Sequence, residues 1–181
     1  ELGFRIKHLG IARRTEKGIE LRVHPTLIPE EELIANVNGV KNAVLVQANA
    51  VGPTLYYGAG AGAGPTASAV VADVIDIVRD ISYTEDGAGT IPQLAFEALT
   101  DLPILSREEM TTGYYIRINA EDQTGVLADV TTILSRAGIS IDAIMQQSRL
   151  KDLIPIVILT DPVLESKMDE ALAQIQALPT I

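Results

Sequence analysis

Two stretches of this 181-residue sequence hold residues whose types and spacing can do chemistry. The first is Tyr57-Gly58-Ala59-Gly60-Ala61-Gly62-Ala63-Gly64-Pro65-Thr66, a loop without side-chain bulk that runs from a strand into a helix. A ligand can come very close to such a backbone, and the N–H groups at the helix start point towards it. The loop therefore reads as a wall for a planar ring, with amide N–H groups and Thr66 as donors. Its G-x-G-x-G-x-G spacing is neither G-x-G-x-x-G nor G-x-x-x-x-G-K-[ST], because Ala63 and Pro65 stand where those patterns need glycine or lysine. On spacing alone it serves equally as a tight turn that lets a helix lie close to a sheet.

The second stretch is Glu121-Asp122-Gln123-Thr124-Gly125-Val126-Leu127-Ala128, again a strand-to-helix junction. Gly125 beside a helix N-terminus suits the carboxylate of a free amino acid, and Asp122 and Gln123 can accept from its ammonium group. The same residues are equally consistent with Asp122 capping the helix and Gly125 turning the chain.

The elements that must position these loops follow from periodicity. Phe4 to Arg14 and Ile19 to His24 are β-rich runs around Glu16-Lys17-Gly18, a hairpin signal, and Pro25 is expected to end the second run. Pro29 followed by Glu30-Glu31-Glu32 predicts a short helix to about Val37. Asn42 to Ala48 and Thr54 to Tyr57 are strand candidates bracketing a Gly52-Pro53 turn. Ala67 to Arg79 places Val70, Val71, Val74, Ile77 and Val78 on one face and Asp73, Asp76 and Asp80 on the other, an amphipathic helix. The period then breaks down over 82–113, as in a linker. From Tyr114 it returns: strand to Ala120, helix Val126 to Ala137, strands Ser140 to Gln147 and Ile154 to Thr160, helix Val163 to Ala177. That β-α-β-β-α order lacks one strand of a ferredoxin-like module.

Composition narrows the function classes. A formal charge of −10 leaves no clustered cations for a phosphate backbone, and 4% aromatic residues supply few stacking platforms, so nucleic acid is not expected as a partner. There are no cysteines, hence no disulfide framework, thiolate zinc site or cysteine nucleophile. Apolar runs such as Ile154 to Leu159 fall far short of the ~20 residues of a membrane span. No signal peptide is visible, and a cytoplasmic location is expected. Glu1 falls in a pattern already under way, and Leu178 to Ile181 reads as the lead-in to a further strand, so a longer parent chain is expected at both ends. His8, His24, the Glu30-Glu31-Glu32 run, Met145 and Met168 read as surface, helix-start or packing residues, and no metal site is expected.

Several blocks in order, Val23-His24-Pro25-Thr26-Leu27-Ile28-Pro29, Asn42-Ala43-Val44, Gly52-Pro53-Thr54-Leu55-Tyr56-Tyr57-Gly58 and Gly62-Ala63-Gly64-Pro65-Thr66-Ala67-Ser68-Ala69-Val70, closely resemble homoserine dehydrogenase, in the C-terminal part of its long regulated form. The resemblance implies an α/β (α+β) chain. Residues 1–81 would be part of a mixed-sheet catalytic domain, 82–113 a linker, and 114–181 a ferredoxin-like βαββαβ module without its last strand. It also implies NAD- or NADP-dependent interconversion of homoserine and aspartate semialdehyde, on the way to threonine, methionine and isoleucine. The glycine loop would line the nicotinamide end of the cofactor site, with Gly62 as the contact carried over and Gly60 and Thr66 beside it. The family's cofactor domain and its catalytic Lys and Asp would lie upstream of Glu1, so none of Lys7, Lys17, Lys41 or Asp73 is assigned catalysis.

The loop at Gly125 and the Gly138-Ile139-Ser140-Ile141 junction together resemble an ACT domain. That implies an effector site drawn from Asp122, Gln123, Gly125 and Val126, completed by Ile139 and Ile141 of a second copy, with threonine as the family-typical ligand. Such modules pair edge to edge, so a homodimer or tetramer is expected, with the linker transmitting feedback inhibition. The alternative reading is a non-catalytic amino-acid-binding regulator, separated from the enzyme by the presence of a G-x-G-x-x-G segment upstream.

Overall fold

Strands β1 (Phe4–Arg14) and β2 (Ile19–Pro29) pair as a two-stranded ribbon. Its turn is closed at Thr15, whose N–H and hydroxyl both donate to the Gly18 carbonyl, at 2.8 and 2.9 Å. Contrary to expectation, β2 passes through Pro25. A two-stranded ribbon has free outer edges at which a proline nitrogen removes no ladder bond. The helix expected from Pro29 to Val37 is only a 3-10 turn, Leu33–Asn36. The Asn36 amide donates to the carbonyls of Glu30 and Glu32 at 2.9 and 3.1 Å, a side-chain alternative to the helical ladder.

The computed structural model describes residues 2–83, 100–146 and 153–181. Strands β3 (Lys41–Ala48) and β4 (Gly52–Ala59) form an antiparallel hairpin in which Lys41 faces Ala59 and Ala48 faces Gly52. The connection is residues 49–51, and Gly52, at φ +75°, already belongs to β4. The proposed Gly52-Pro53 turn is therefore the start of a strand. Helix α1 (Ala63–Tyr83) is longer at both ends than the periodicity suggested. Pro65 falls in its first turn, where the missing N–H costs no helical bond.

After residue 99 the chain makes the short strand β5 (Thr111–Thr112) and then β6 (Tyr115–Glu121), α2 (Val126–Arg136), β7 (Ile141–Gln146), β8 (Leu153–Thr160), β9 (Val163–Leu164) and α3 (Glu165–Gln176). The expected strand end at Gln147 lies outside the described residues. The sheet order is β6-β8-β7, all antiparallel, and β5 pairs with β9. With α2 and α3 this is the ferredoxin-like arrangement. Along β6 the side chains of Ile116, Ile118 and Ala120 are buried and the alternate ones exposed, the period of a strand with one covered face. They pack with Val130 and Leu134 of α2, Ile156 and Ile158 of β8, and Met168, Ala171 and Ile175 of α3. At the outer edge of β6 the Glu121 N–H donates to the Thr180 carbonyl at 2.9 Å, so the C-terminal residues lie where a further strand would pair.

Two compact units emerge, Glu1–Leu9 with Val23–Asp101 and Gly10–Arg22 with Leu102–Ile181. The second unit includes residues 102–113, which the sequence suggested as linker. Ile19 N–H donates to Pro103 O and Leu105 N–H to Ile19 O, at 2.8 and 2.9 Å. A Cβ on Gly18 would overlap the Pro103 carbonyl, so this approach requires glycine. Beside it Glu20, 1% exposed, accepts from Arg13 Nε at 2.8 Å and pairs with Arg22 Nε at 2.9 Å.

Candidate functional site

The glycine loop grows directly out of the β3–β4 hairpin. Gly60 N–H donates to Val40 O at 3.1 Å, which extends the hairpin by one bond beyond β4 and fixes the loop's first half. Gly62 then takes φ +120°, a conformation that side chains rarely adopt, and turns the chain into α1. Its carbonyl accepts from Thr66 N–H at 3.0 Å. Gly62 and Thr66 are thus joined by one bond, with Gly60 two residues upstream. The backbone N–H groups of Gly60 and Thr66 are thus engaged within the protein.

What remains is shape. A Cβ on Gly58 or Gly64 would meet nothing within 4 Å, whereas one on Gly60 would overlap the Asn42 side chain. Beside the loop, Asn42, Ala43, Val44, Tyr56, Tyr57, Gly58, Ala59 and Gly60 line an open depression of about 340 Å³. Lys41 Nζ stands 5.6 Å from the centre of the Tyr57 ring, within cation–π range. A backbone bare of side chains thus lies next to a depression lined by Tyr56 and Tyr57.

The second candidate site is the β6–α2 loop. Gly125 is the cap residue of α2 at φ +100° and supplies no side-chain acceptor, so α2 starts without a side-chain cap of its own. Gln123 is turned back, its N–H donating to Glu121 O at 2.8 Å and its side-chain amide to Glu121 Oε2 at 2.6 Å. Val126 and Ile139, each 5% exposed, are core residues, and Ile141 packs against the same core. Of these, Val126 opens the first turn of α2 beside Gly125, while Ile139 and Ile141 follow the helix. Asp122 engages in an interaction of its own.

A third cluster was not foreseen. Arg107, in the 3-10 turn Arg107–Glu109, reaches Glu165 Oε1 at 2.7 Å and Asp169 Oδ1 at 2.9 Å on α3. Its guanidinium pKa is raised, first by the Glu165 hydrogen bond and then by the Asp169 charge. The Glu165 N–H donates to Met110 O at 2.9 Å, and Met110 is buried. The Tyr114 hydroxyl is buried without a hydrogen-bond partner among the described residues. Its ionisation is pushed well above the usual tyrosine range, first by burial and then by Glu165 and Asp169. The available sequence signal was Ser106-Arg107-Glu108-Glu109, in which Glu109 accepts from the Ser106 N–H and hydroxyl.

Of the residues set aside, His8 is exposed, and His24 Nδ1 lies 3.0 Å from Pro25 O and 3.3 Å from Thr26 Oγ1. Among the described residues no group of three or more His, Cys, Asp or Glu is arranged to hold a metal, and no helix is long and apolar enough to cross a membrane.

The family model for homoserine dehydrogenase matches residues 1–75, and that for the ACT domain matches residues 114–180. A homoserine dehydrogenase of Pseudomonas aeruginosa is 56% identical over 98% of this chain and 41% of its own length. One of Neisseria gonorrhoeae is 50% identical over 100% of the chain and 42% of its own length. The crystal structure of a homoserine dehydrogenase from Thiobacillus denitrificans superposes with a TM-score of 0.88 at 56% identity, over 99% of this chain and 40% of that one. The chain therefore spans about two fifths of the length of these relatives.

Proposed function

We propose, from the premise that this chain belongs to the homoserine dehydrogenase family and corresponds to its C-terminal part, that the whole protein interconverts homoserine and aspartate semialdehyde with NAD or NADP. The observation that carries this reading is the bare glycine wall at the start of α1, inside the segment matched by the homoserine dehydrogenase model. Gly62, with Gly58 and Gly64 on either side, would face the nicotinamide ring, which supplies or accepts the hydride when bound. The contribution of these residues is seating, since a ring held against a rigid backbone reacts from fewer orientations. No residue of this chain is given the proton transfer.

The ACT module would bind a free amino acid, with threonine the first candidate, at the main chain around Gly125. The carboxylate is favoured there by the first-turn N–H groups of α2. Two copies would pair through open sheet edges into a dimer or tetramer. Regulation would enter at segment 102–112, which Arg107 and β5 hold against α3 and β9. The coupling expected of such an arrangement is roughly 1–3 kcal/mol.

The test is steady-state oxidation of homoserine by the full-length protein with each nicotinamide cofactor, and with and without threonine. Turnover by the full-length protein and none by the 181-residue chain supports the proposal. Homoserine oxidation absent from the full-length protein would leave the amino-acid-binding regulator as the account of the module.

A further inference from the structure

Two glycines of the loop are required for different reasons, and only one of those reasons lies in the loop itself. Gly62 is demanded by its own backbone, since φ +120° strains any side chain whatever the space around it. At Gly60 no positive φ is involved, and the constraint comes from outside: a Cβ there would overlap Nδ2 and Cγ of Asn42 and lie 3.0 Å from its Cβ. Asn42 stands in β3 opposite Gly58, eighteen positions upstream of Gly60 in the sequence. It also lines the depression of about 340 Å³ that continues onto Gly58, Ala59 and Gly60. The Gly60 N–H, bound to Val40 O two residues before Asn42, holds the loop in that place at 3.1 Å.

We propose that Asn42 is a positioning residue for the glycine wall: its side-chain amide fills the notch that Gly60 leaves, and so sets where the loop backbone lies relative to the nicotinamide ring. The inference rests on the reading of this loop as the nicotinamide wall. The pair works as one steric unit. With Asn42 in its present orientation a side chain at position 60 overlaps it, so either the Asn42 amide swings out of the notch or the loop shifts, and both undo the arrangement that the pair maintains. A displacement of about 1 Å at a reacting ring costs on the order of a hundredfold in rate, so a misplaced wall is read in catalysis as well as in stability.

The experiment uses the full-length protein and the variants Gly60→Ala, Asn42→Ala, the double variant, Gly62→Ala and Gly62→Ala with Asn42→Ala. Thermal unfolding and the KM for cofactor and for homoserine are measured on each. Gly60→Ala is expected to lower Tm and to raise the cofactor KM by about tenfold or more, a tenfold change being about 1.4 kcal/mol. Asn42→Ala removes both overlapping atoms, so the double variant recovers most of the loss in both readouts, the non-additivity of residues in contact. Asn42→Ala alone raises the cofactor KM and leaves that for homoserine unchanged, a split that a general loss of folding would not give. Gly62→Ala is not rescued by Asn42→Ala, because its strain is in φ. If Asn42→Ala fails to relieve Gly60→Ala in both Tm and cofactor KM, the positioning role is wrong and the cofactor reading of the loop survives. If the rescue appears in Tm while no variant moves the cofactor KM, the loop is not a cofactor wall, and both readings fall.

Discussion

The two units treat their apolar residues in opposite ways. In the ACT module Val130 and Leu134 of α2, Ile158 of β8 and Met168 of α3 are fully enclosed by one another and by β6. In the first unit α1 leaves Val70, Val71, Val74, Ile77, Val78 and Ile81 between 54 and 73% exposed, and β3 leaves Val44, Leu45 and Val46 exposed as well. Buried apolar area is worth about 25 cal/mol per Å², so the module contains its own driving force for folding and the first unit holds most of its apolar surface in reserve. A contiguous exposed apolar surface marks a place where something else packs. The ACT module thus closes on a core of its own, whereas the apolar face of α1 is left uncovered by the described residues.

That contrast can be broken by substitution. Leu134→Ala, at a fully buried site, should cost about 2–5 kcal/mol in the denaturant unfolding of the module, while Val74→Ala on α1 should change the stability of this chain little. Equal effects would remove the distinction. Next in size is Glu20→Ala. It strips the carboxylate from between Arg13 and Arg22, whose side chains are 55 and 17% exposed. Breaking a fully buried pair costs roughly 3–5 kcal/mol, and the exposure of Arg13 puts this loss below that range. The conservative variant Glu20→Gln should retain part of the stability, and an unaltered melting curve for Glu20→Ala would show that the hairpin tip is not anchored there.

Smaller effects sharpen the picture of segment 102–112. Arg107→Ala should lower Tm slightly, and less at high salt than at low, because the guanidinium and Asp169 are exposed to screening while the Glu165 side chain is only 15% exposed. A salt-independent loss would mean that packing, not charge, holds the segment. The smallest expected effect is on pH. Tyr114 has a raised pKa in the folded state, so the folded protein holds that proton more tightly than the unfolded chain does. Its contribution is fully present below the ordinary tyrosine pKa of about 10 and is lost as pH rises above it. Tyr114→Phe should flatten the alkaline limb of the stability curve.

Much of this was legible in the sequence. The β-α-β-β-α order from Tyr114 onward appears with element ends shifted by only a few residues, because each element carries a strict period and closes on its own core. The glycine run ahead of α1 was visible as composition, and the Gly62 turn follows from it. What sequence did not show depends on distant partners. Asn42 against Gly60, Arg107 against Glu165 and Asp169, and Ile19 against Pro103 and Leu105 join residues that no local period relates. A 3-10 turn at Leu33–Asn36 replaces the expected helix because Asn36 satisfies the Glu30 and Glu32 carbonyls that a helix would use. Nor does any local pattern tell that the backbone N–H groups of Gly60 and Thr66 are engaged at Val40 O and Gly62 O.

The most direct measurement is calorimetric titration of the 181-residue chain with L-threonine and then with the other free amino acids. The account predicts saturable binding of one of them to the module, with threonine first in affinity, weakened by Gly125→Ala at φ +100°. A chain that is folded and binds none of them would contradict it.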